Sequence, residues 1–182
     1  MNYATIKPID IANGPGIRVS LFVSGCRRGC KGCFNKEAWD FDYGQEFTSD
    51  TLWELNKMLD DPHVDGLSIL GGDPFEPENR DIVEAICEFV WLWLPSKTIW
   101  IWTGFKYEDI KDLPVMQYID VLVDGPFVEE LKDLRLPYCG SSNQRVIDIR
   151  ASRKAGTVVE WRDENAITAE HRQVEKAIEW RR

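Results

Sequence analysis

Histidine is nearly absent from this chain: His63 and His171 are the only two among 182 residues. Neither stands near a cysteine pair, which argues against a zinc site assembled from paired Cys and His ligands. Long apolar runs are missing too. The most apolar stretch, residues 82–94, carries Glu84 and Glu88 and is stopped by Pro95, short of the roughly 18 residues of a membrane span. The first ten residues, MNYATIKPID, show neither the basic nor the apolar region of a secretion signal. Positive charge is in deficit: 22 Lys and Arg against 31 Asp and Glu leave a net charge of −9. That disfavours nucleic-acid binding, which needs a basic footprint. These absences predict a cytoplasmic protein with no membrane and no nucleic-acid partner. In the cytoplasm thiols stay reduced, so the five cysteines read as ligands or small core residues rather than disulfides.

Three of those cysteines fall within eight residues, Cys26, Cys30 and Cys33, at spacing C-x3-C-x2-C. Bacterial ferredoxin spacing continues to a fourth cysteine, whereas this run stops at three. Three thiolates without a fourth describe an iron–sulfur cluster with one iron open to a substrate. Cys87 lies beside Ile86 in an apolar helical stretch and reads as core, since free cysteine is among the most buried residue types. Cys139 follows Pro137 and Tyr138 in a loop and stays open as a fourth ligand. Structural zinc is the main alternative for the loop. Spacing and ligand count favour the cluster over it.

The rest of the chain is 43% hydrophobic and 29% charged, as in a globular domain. Residues 17–23, 66–70, 98–102, 118–123 and 145–149 read as strands. Between them lie a helix capped by Thr48 and running to about Asp60, one from about Glu78 to Leu94, and a short helical piece at 107–112. Alternation of this kind predicts an α/β fold with right-handed crossovers and about five mostly parallel strands. A closed eight-unit barrel needs about 250 residues, so the expectation is an open, partial β/α barrel. Residues 1–150 form its core. Residues 151–182 are an extension on or beside it, with a short strand at 157–161 and a helix at about 169–180. The basic residues from Arg150 to Arg182 read as a solvated face.

The first four strands each end in small or polar groups: Ser24-Gly25, Gly71-Gly72-Asp73, Thr103-Gly104 and Asp124-Gly125. Ligands of parallel α/β sheets bind outside the carboxyl ends of the strands, so these groups and the cysteine loop share an edge. Two glycines let a ligand approach the backbone of the turn Gly71-Gly72-Asp73-Pro74. The Asp73 carboxylate and nearby carbonyls suit the donors of an ammonium group.

Cys26, Cys30 and Cys33 followed by Phe34 resemble the signature of the radical S-adenosylmethionine superfamily, and Gly71 to Pro74 resemble its GGE-type motif. More narrowly, the chain resembles the family of anaerobic ribonucleoside-triphosphate reductase activating proteins over about residues 5–150. Residues 13–18, the cysteine loop with Phe34, Asn35 and Trp39, residues 71–74, 120–127 and 140–145 carry this resemblance.

The resemblance implies a [4Fe-4S] cluster on Cys26, Cys30 and Cys33, with S-adenosylmethionine chelating the open iron. Reductive cleavage then gives methionine and a 5′-deoxyadenosyl radical, which takes a hydrogen from a glycine of the reductase's large subunit. It places Gly32, Cys33 and Phe34 at the adenine and Gly71, Gly72, Asp73 and Pro74 at the methionine amino group, with Thr103 at the same edge. Asp124 and Gly125 face the ribose or the methionine. A low-potential donor such as a flavodoxin supplies the electron, and an open barrel admits the glycine-bearing loop from the side. An activating enzyme of another glycyl radical enzyme, such as pyruvate formate-lyase, and a non-catalytic metal-binding module are the competing readings. Residues beyond 150 match no part of the pattern, and Cys139 stands where another residue is expected. Arg27 and Arg28 read as loop charges or as groups facing cluster or partner. Trp39 is singled out because its segment directly follows the cluster loop.

Overall fold

The computed structural model describes residues 1–162. Its strands are β1 (Asn2–Asp10), β2 (Arg18–Val23), β3 (Gln45–Glu46), β4 (Gly66–Gly71), β5 (Thr98–Trp102), β6 (Val121–Asp124) and β7 (Arg145–Asp148). Its helices are α1 (Ser49–Leu59), α2 (Pro77–Trp93), α3 (Tyr107–Ile110) and α4 (Ile149–Ala155). One seven-stranded sheet runs β3-β1-β2-β4-β5-β6-β7 and does not close. The neighbours β2-β4, β4-β5 and β5-β6 are parallel, while β1, β3 and β7 pair antiparallel at the edges.

The architecture corrects the expectation of about five mostly parallel strands: among the described residues there are seven, and the sheet is mixed. β1 escaped the sequence pattern because most of it is exposed or half-buried and it contains Pro8. That proline falls inside a register irregularity between Lys7 and Asp10, where no ladder donor is required. β7 is where a strand was expected but runs against β6. Residues 125–144 between them contain no crossover helix, and antiparallel neighbours need none.

Side-chain alternation sorts the sheet into two faces. Val19, Leu21, Val23, Leu67, Ile69, Ile99, Ile101, Leu122 and Ile147 point to one side and bury against Leu55 and Leu59 of α1 and Val83, Ile86, Cys87 and Val90 of α2. Cys87 is fully buried there, as expected of a core cysteine. The opposite face carries Trp100, Val121 and Val123, covered by Tyr138, Cys139 and Trp161. The Trp100 ring meets Tyr138 and Trp161 edge-on, with centroids 5.0 and 4.9 Å away.

Helix boundaries follow local chemistry. Thr48 caps α1 in a reciprocal capping box with Thr51. Pro77 opens α2 at a position where no backbone donor is needed, and Pro95 follows its last residues. The strand expected at 157–161 appears as main-chain bonding to β7: Trp161 N–H donates to Val146 O at 2.8 Å, and Ile147 bridges Glu160. The helix expected at about 169–180 lies outside the described residues.

Candidate functional site

Because β2, β4, β5 and β6 run parallel, their carboxyl ends lie at one sheet edge. The cysteine loop leaves β2 there. Its path is set by the main chain: Gly25 N–H donates to Ala38 O at 2.8 Å and Cys26 N–H to Trp39 O at 3.1 Å. Ala38 and Trp39 belong to a 3-10 turn, Lys36–Trp39. Within the loop, Cys33 N–H bonds Cys30 O at 3.1 Å. All three thiols are half-buried.

The turn after β4 is bound to this loop. Gly72 N–H donates to Val23 O at 2.7 Å and Asp73 N–H to Gly25 O at 2.8 Å. The buried Asn79 amide bridges both segments, donating to Ser24 O at 2.9 Å and Asp73 O at 3.0 Å. A side chain at Gly72 would collide with the Gly25 and Ala38 carbonyl oxygens, so close approach of the two loops requires glycine.

Asp73 is 1% exposed and fully engaged. Its Oδ1 accepts from Thr103 Oγ1 at 2.7 Å and Phe75 N at 3.0 Å. Its Oδ2 accepts from Gly104 N at 3.0 Å and Arg28 Nε at 3.3 Å. Burial pushes its pKa above the usual carboxylate value, against the pull of these donors. Thr103, expected at the cofactor edge, is thus brought directly to Asp73.

The two arginines of the loop splay apart and pin it. Arg27 donates to the buried Glu76 at 2.9 Å and to Glu78 at 2.8 Å, and its guanidinium stacks 4.3 Å from the Phe41 ring centroid. Arg27 N–H also bonds Glu76 Oε1 at 2.8 Å. The Arg27 guanidinium holds the Glu78 carboxyl down to about 2. Arg28 stacks 4.1 Å from the Phe105 ring centroid while reaching Asp73. Burial, with Asp73, Glu76 and Cys30 nearby, pushes the Cys26 thiol up to about 11, so binding a metal there must displace a proton.

Other expected residues are placed as follows. Gly32 precedes Cys33, beside the Lys31–Glu129 ion pair of 3.0 Å. Phe34 is fully exposed, and Pro74 is buried in the turn. Asp124 is buried with its carboxylate already taken: it accepts from Tyr107 N at 2.7 Å and Arg145 Nε at 2.9 Å, with a further short Arg145 contact. Gly125 N–H bonds Phe105 O at 2.9 Å. Cys139 packs against the Trp100 cluster. Sequence reasoning missed Asn79, Glu76 and Arg145, whose partners lie far away in the chain. The acidic pair Glu76 and Glu78, just after the glycine turn and opposite two arginines, was the available signal.

Among the described residues, no three Cys, His, Asp or Glu groups converge as they do around a single metal ion. Three half-buried thiols within eight residues are the number a cubane takes when one of its irons is left open, and one short of the four ligands that structural zinc takes.

An open α/β sheet with one three-cysteine loop at its carboxyl edge defines the class. The family described as "4Fe-4S single cluster domain" matches residues 12–147. The chain is 44% identical over 146 residues to the anaerobic ribonucleoside-triphosphate reductase-activating protein of Enterobacteria phage T4, covering 80% of this chain and 93% of that one. It is 43% and 42% identical over 154 residues to the proteins of the same name from Salmonella typhimurium and Escherichia coli K12, covering 82% of this chain and all of theirs. The chain belongs to the family of anaerobic ribonucleoside-triphosphate reductase-activating proteins.

Proposed function

We propose that this chain holds a [4Fe-4S] cluster on Cys26, Cys30 and Cys33, binds S-adenosylmethionine beside it, and generates the glycyl radical on the large subunit of an anaerobic ribonucleoside-triphosphate reductase. The observation that carries this reading is the junction of the cysteine loop and the glycine–aspartate turn, joined by the 2.8 Å Asp73–Gly25 bond and the Asn79 bridge, in a chain whose relatives bear that name. When bound, the cluster and S-adenosylmethionine supply one-electron cleavage to methionine and a 5′-deoxyadenosyl radical that takes a hydrogen atom from a glycine Cα.

The chain's own residues position these groups. The Gly71 and Gly72 backbone, Asp73 and Pro74 receive the methionine ammonium, with Thr103 and Gly104 fixing the Asp73 carboxylate. Arg28 makes the longest of the four Asp73 contacts, at 3.3 Å, and is the donor an incoming ammonium displaces. Gly32, Cys33 and Phe34 meet the adenine; the exposed Phe34 ring has room to turn onto it. Asp124, already bound by Arg145, acts by fixing the Gly125 turn near the ribose. The open sheet is a truncated form of the radical S-adenosylmethionine barrel, which leaves side access for a glycine-bearing loop. A low-potential donor of the flavodoxin class supplies the electron, in the cytoplasm.

The test is anaerobic reconstitution with iron and sulfide, reduction, and chromatography for 5′-deoxyadenosine and methionine in equal amounts. A fully loaded cluster that leaves S-adenosylmethionine intact would sink the proposal.

A further inference from the structure

One residue ties both ends of the cysteine motif. Trp39 ends the 3-10 turn that backs the loop, and its carbonyl accepts the Cys26 N–H at 3.1 Å. Its indole Nε1–H points back across the loop and donates to Cys33 Sγ at 3.4 Å. The neighbouring Ala38 is fully buried and its carbonyl accepts Gly25 N–H, so the turn that presents the indole is anchored to the sheet end. The indole has a single donor and no acceptor, and it carries no charge. The donor therefore has one direction and does not itself titrate.

We propose that Trp39 is a positioning residue that sets the reduction potential of the cluster by donating its indole N–H to the Cys33 sulfur. The inference rests on the proposed cluster ligation. Adding one electron makes the cluster and its thiolates more negative, with no proton required. A donor aimed at a ligand sulfur stabilises that added charge, and hydrogen bonds to the sulfurs are among the determinants of cluster potential. Trp39 thus makes the cluster easier to reduce. The ring is half-buried, and a hydrogen bond is electrostatically stronger there than in bulk water.

The experiment is a redox titration of the anaerobically reconstituted full chain, followed by electron paramagnetic resonance of the reduced cluster. Three proteins are compared: wild type, Trp39→Phe, and a variant carrying 3-benzothienyl-alanine at position 39. The last keeps the shape of the indole and replaces its N–H by sulfur. Both variants are expected to load iron and sulfide fully and to shift the reduction equilibrium about tenfold toward the oxidised form, about 59 mV more negative for one electron. Trp39→His, which retains a ring N–H, is expected to recover part of the shift.

A wild-type potential in the benzothienyl variant overturns the proposal, because shape without the donor then suffices. Failure of that variant to load a cluster also overturns it, because the N–H would then serve assembly rather than potential. The potential is read without S-adenosylmethionine. Normal tuning with no cofactor cleavage would therefore refute the proposed function and leave this inference standing.

Discussion

Gly72→Ala tests the junction on which the site depends. The new Cβ would stand 2.5 Å from Gly25 O, 2.9 Å from Ala38 O and 3.0 Å from Gly25 C. All three are main-chain atoms, and Gly25 O is the acceptor of the Asp73 N–H. Ordinary contact between such atoms is about 3.5 Å, so the two loops must separate by roughly 1 Å. Overpacking of this kind destabilises by about 1–3 kcal/mol. For a chain of this size that lowers the melting temperature by about 2–12 °C.

Gly72 has no left-handed backbone to strain, so the effect is steric. Gly156→Ala is the control: φ is +69°, nothing lies within 4 Å of the added carbon, and the residue caps α4. It should destabilise by about 1–2 kcal/mol through backbone strain alone. Thermal unfolding by circular dichroism reads stability, and anaerobic calorimetry of S-adenosylmethionine on the reconstituted protein reads the site. Gly72→Ala should lower both stability and affinity, whereas Gly156→Ala should lower stability alone. An unchanged melting temperature together with wild-type affinity in Gly72→Ala would refute the packing argument.

Alanine at Cys26, Cys30 or Cys33 should abolish cluster loading, read by iron content and visible absorption. Cys139→Ala should load normally, and Cys87→Ala should load while losing about 1 kcal/mol of stability from its buried position. Arg145→Ala strands the buried Asp124 carboxylate and should destabilise by about 3 kcal/mol in urea unfolding, the lower end of the range for buried pairs because Arg145 is a third exposed. The same arginine pulls Glu108 from 4.5 to about 2 in the folded chain. Folding depresses this pKa, so the pair's contribution is complete above pH 4.5 and fades as pH falls toward about 2. Unfolding titrations through that window should show a smaller acid loss in Arg145→Ala than in the wild type.

The four parallel strands and their glycine-rich exits were legible because β-branched, apolar runs punctuated by Gly, Asp and Thr have few other readings. β1 was not, because an edge segment with exposed residues and Pro8 lacks the alternation that marks a half-buried strand. β3, two residues long, carries no pattern at all. The direction of β7 is a property of its connection, and side-chain order does not encode it. The cysteine spacing and the glycine–aspartate turn were legible in the sequence, but not the scaffold between them. Asn79 links Ser24 and Asp73 only after folding brings residues 55 positions apart together. Asp124 read as a group facing the cofactor edge; the arginine that holds its carboxylate, Arg145, lies 21 positions on and carried no local signal.

On the proposed function, the three-cysteine loop makes a radical on another protein. Mixing the reconstituted, reduced chain with S-adenosylmethionine and the reductase large subunit under strict anaerobiosis should give a glycyl radical signal by electron paramagnetic resonance. That signal should be lost in Cys30→Ala and kept in Cys139→Ala. A loaded cluster and consumed S-adenosylmethionine without a glycyl signal would contradict the assignment of the partner, and the signal's survival in Cys30→Ala would contradict the site.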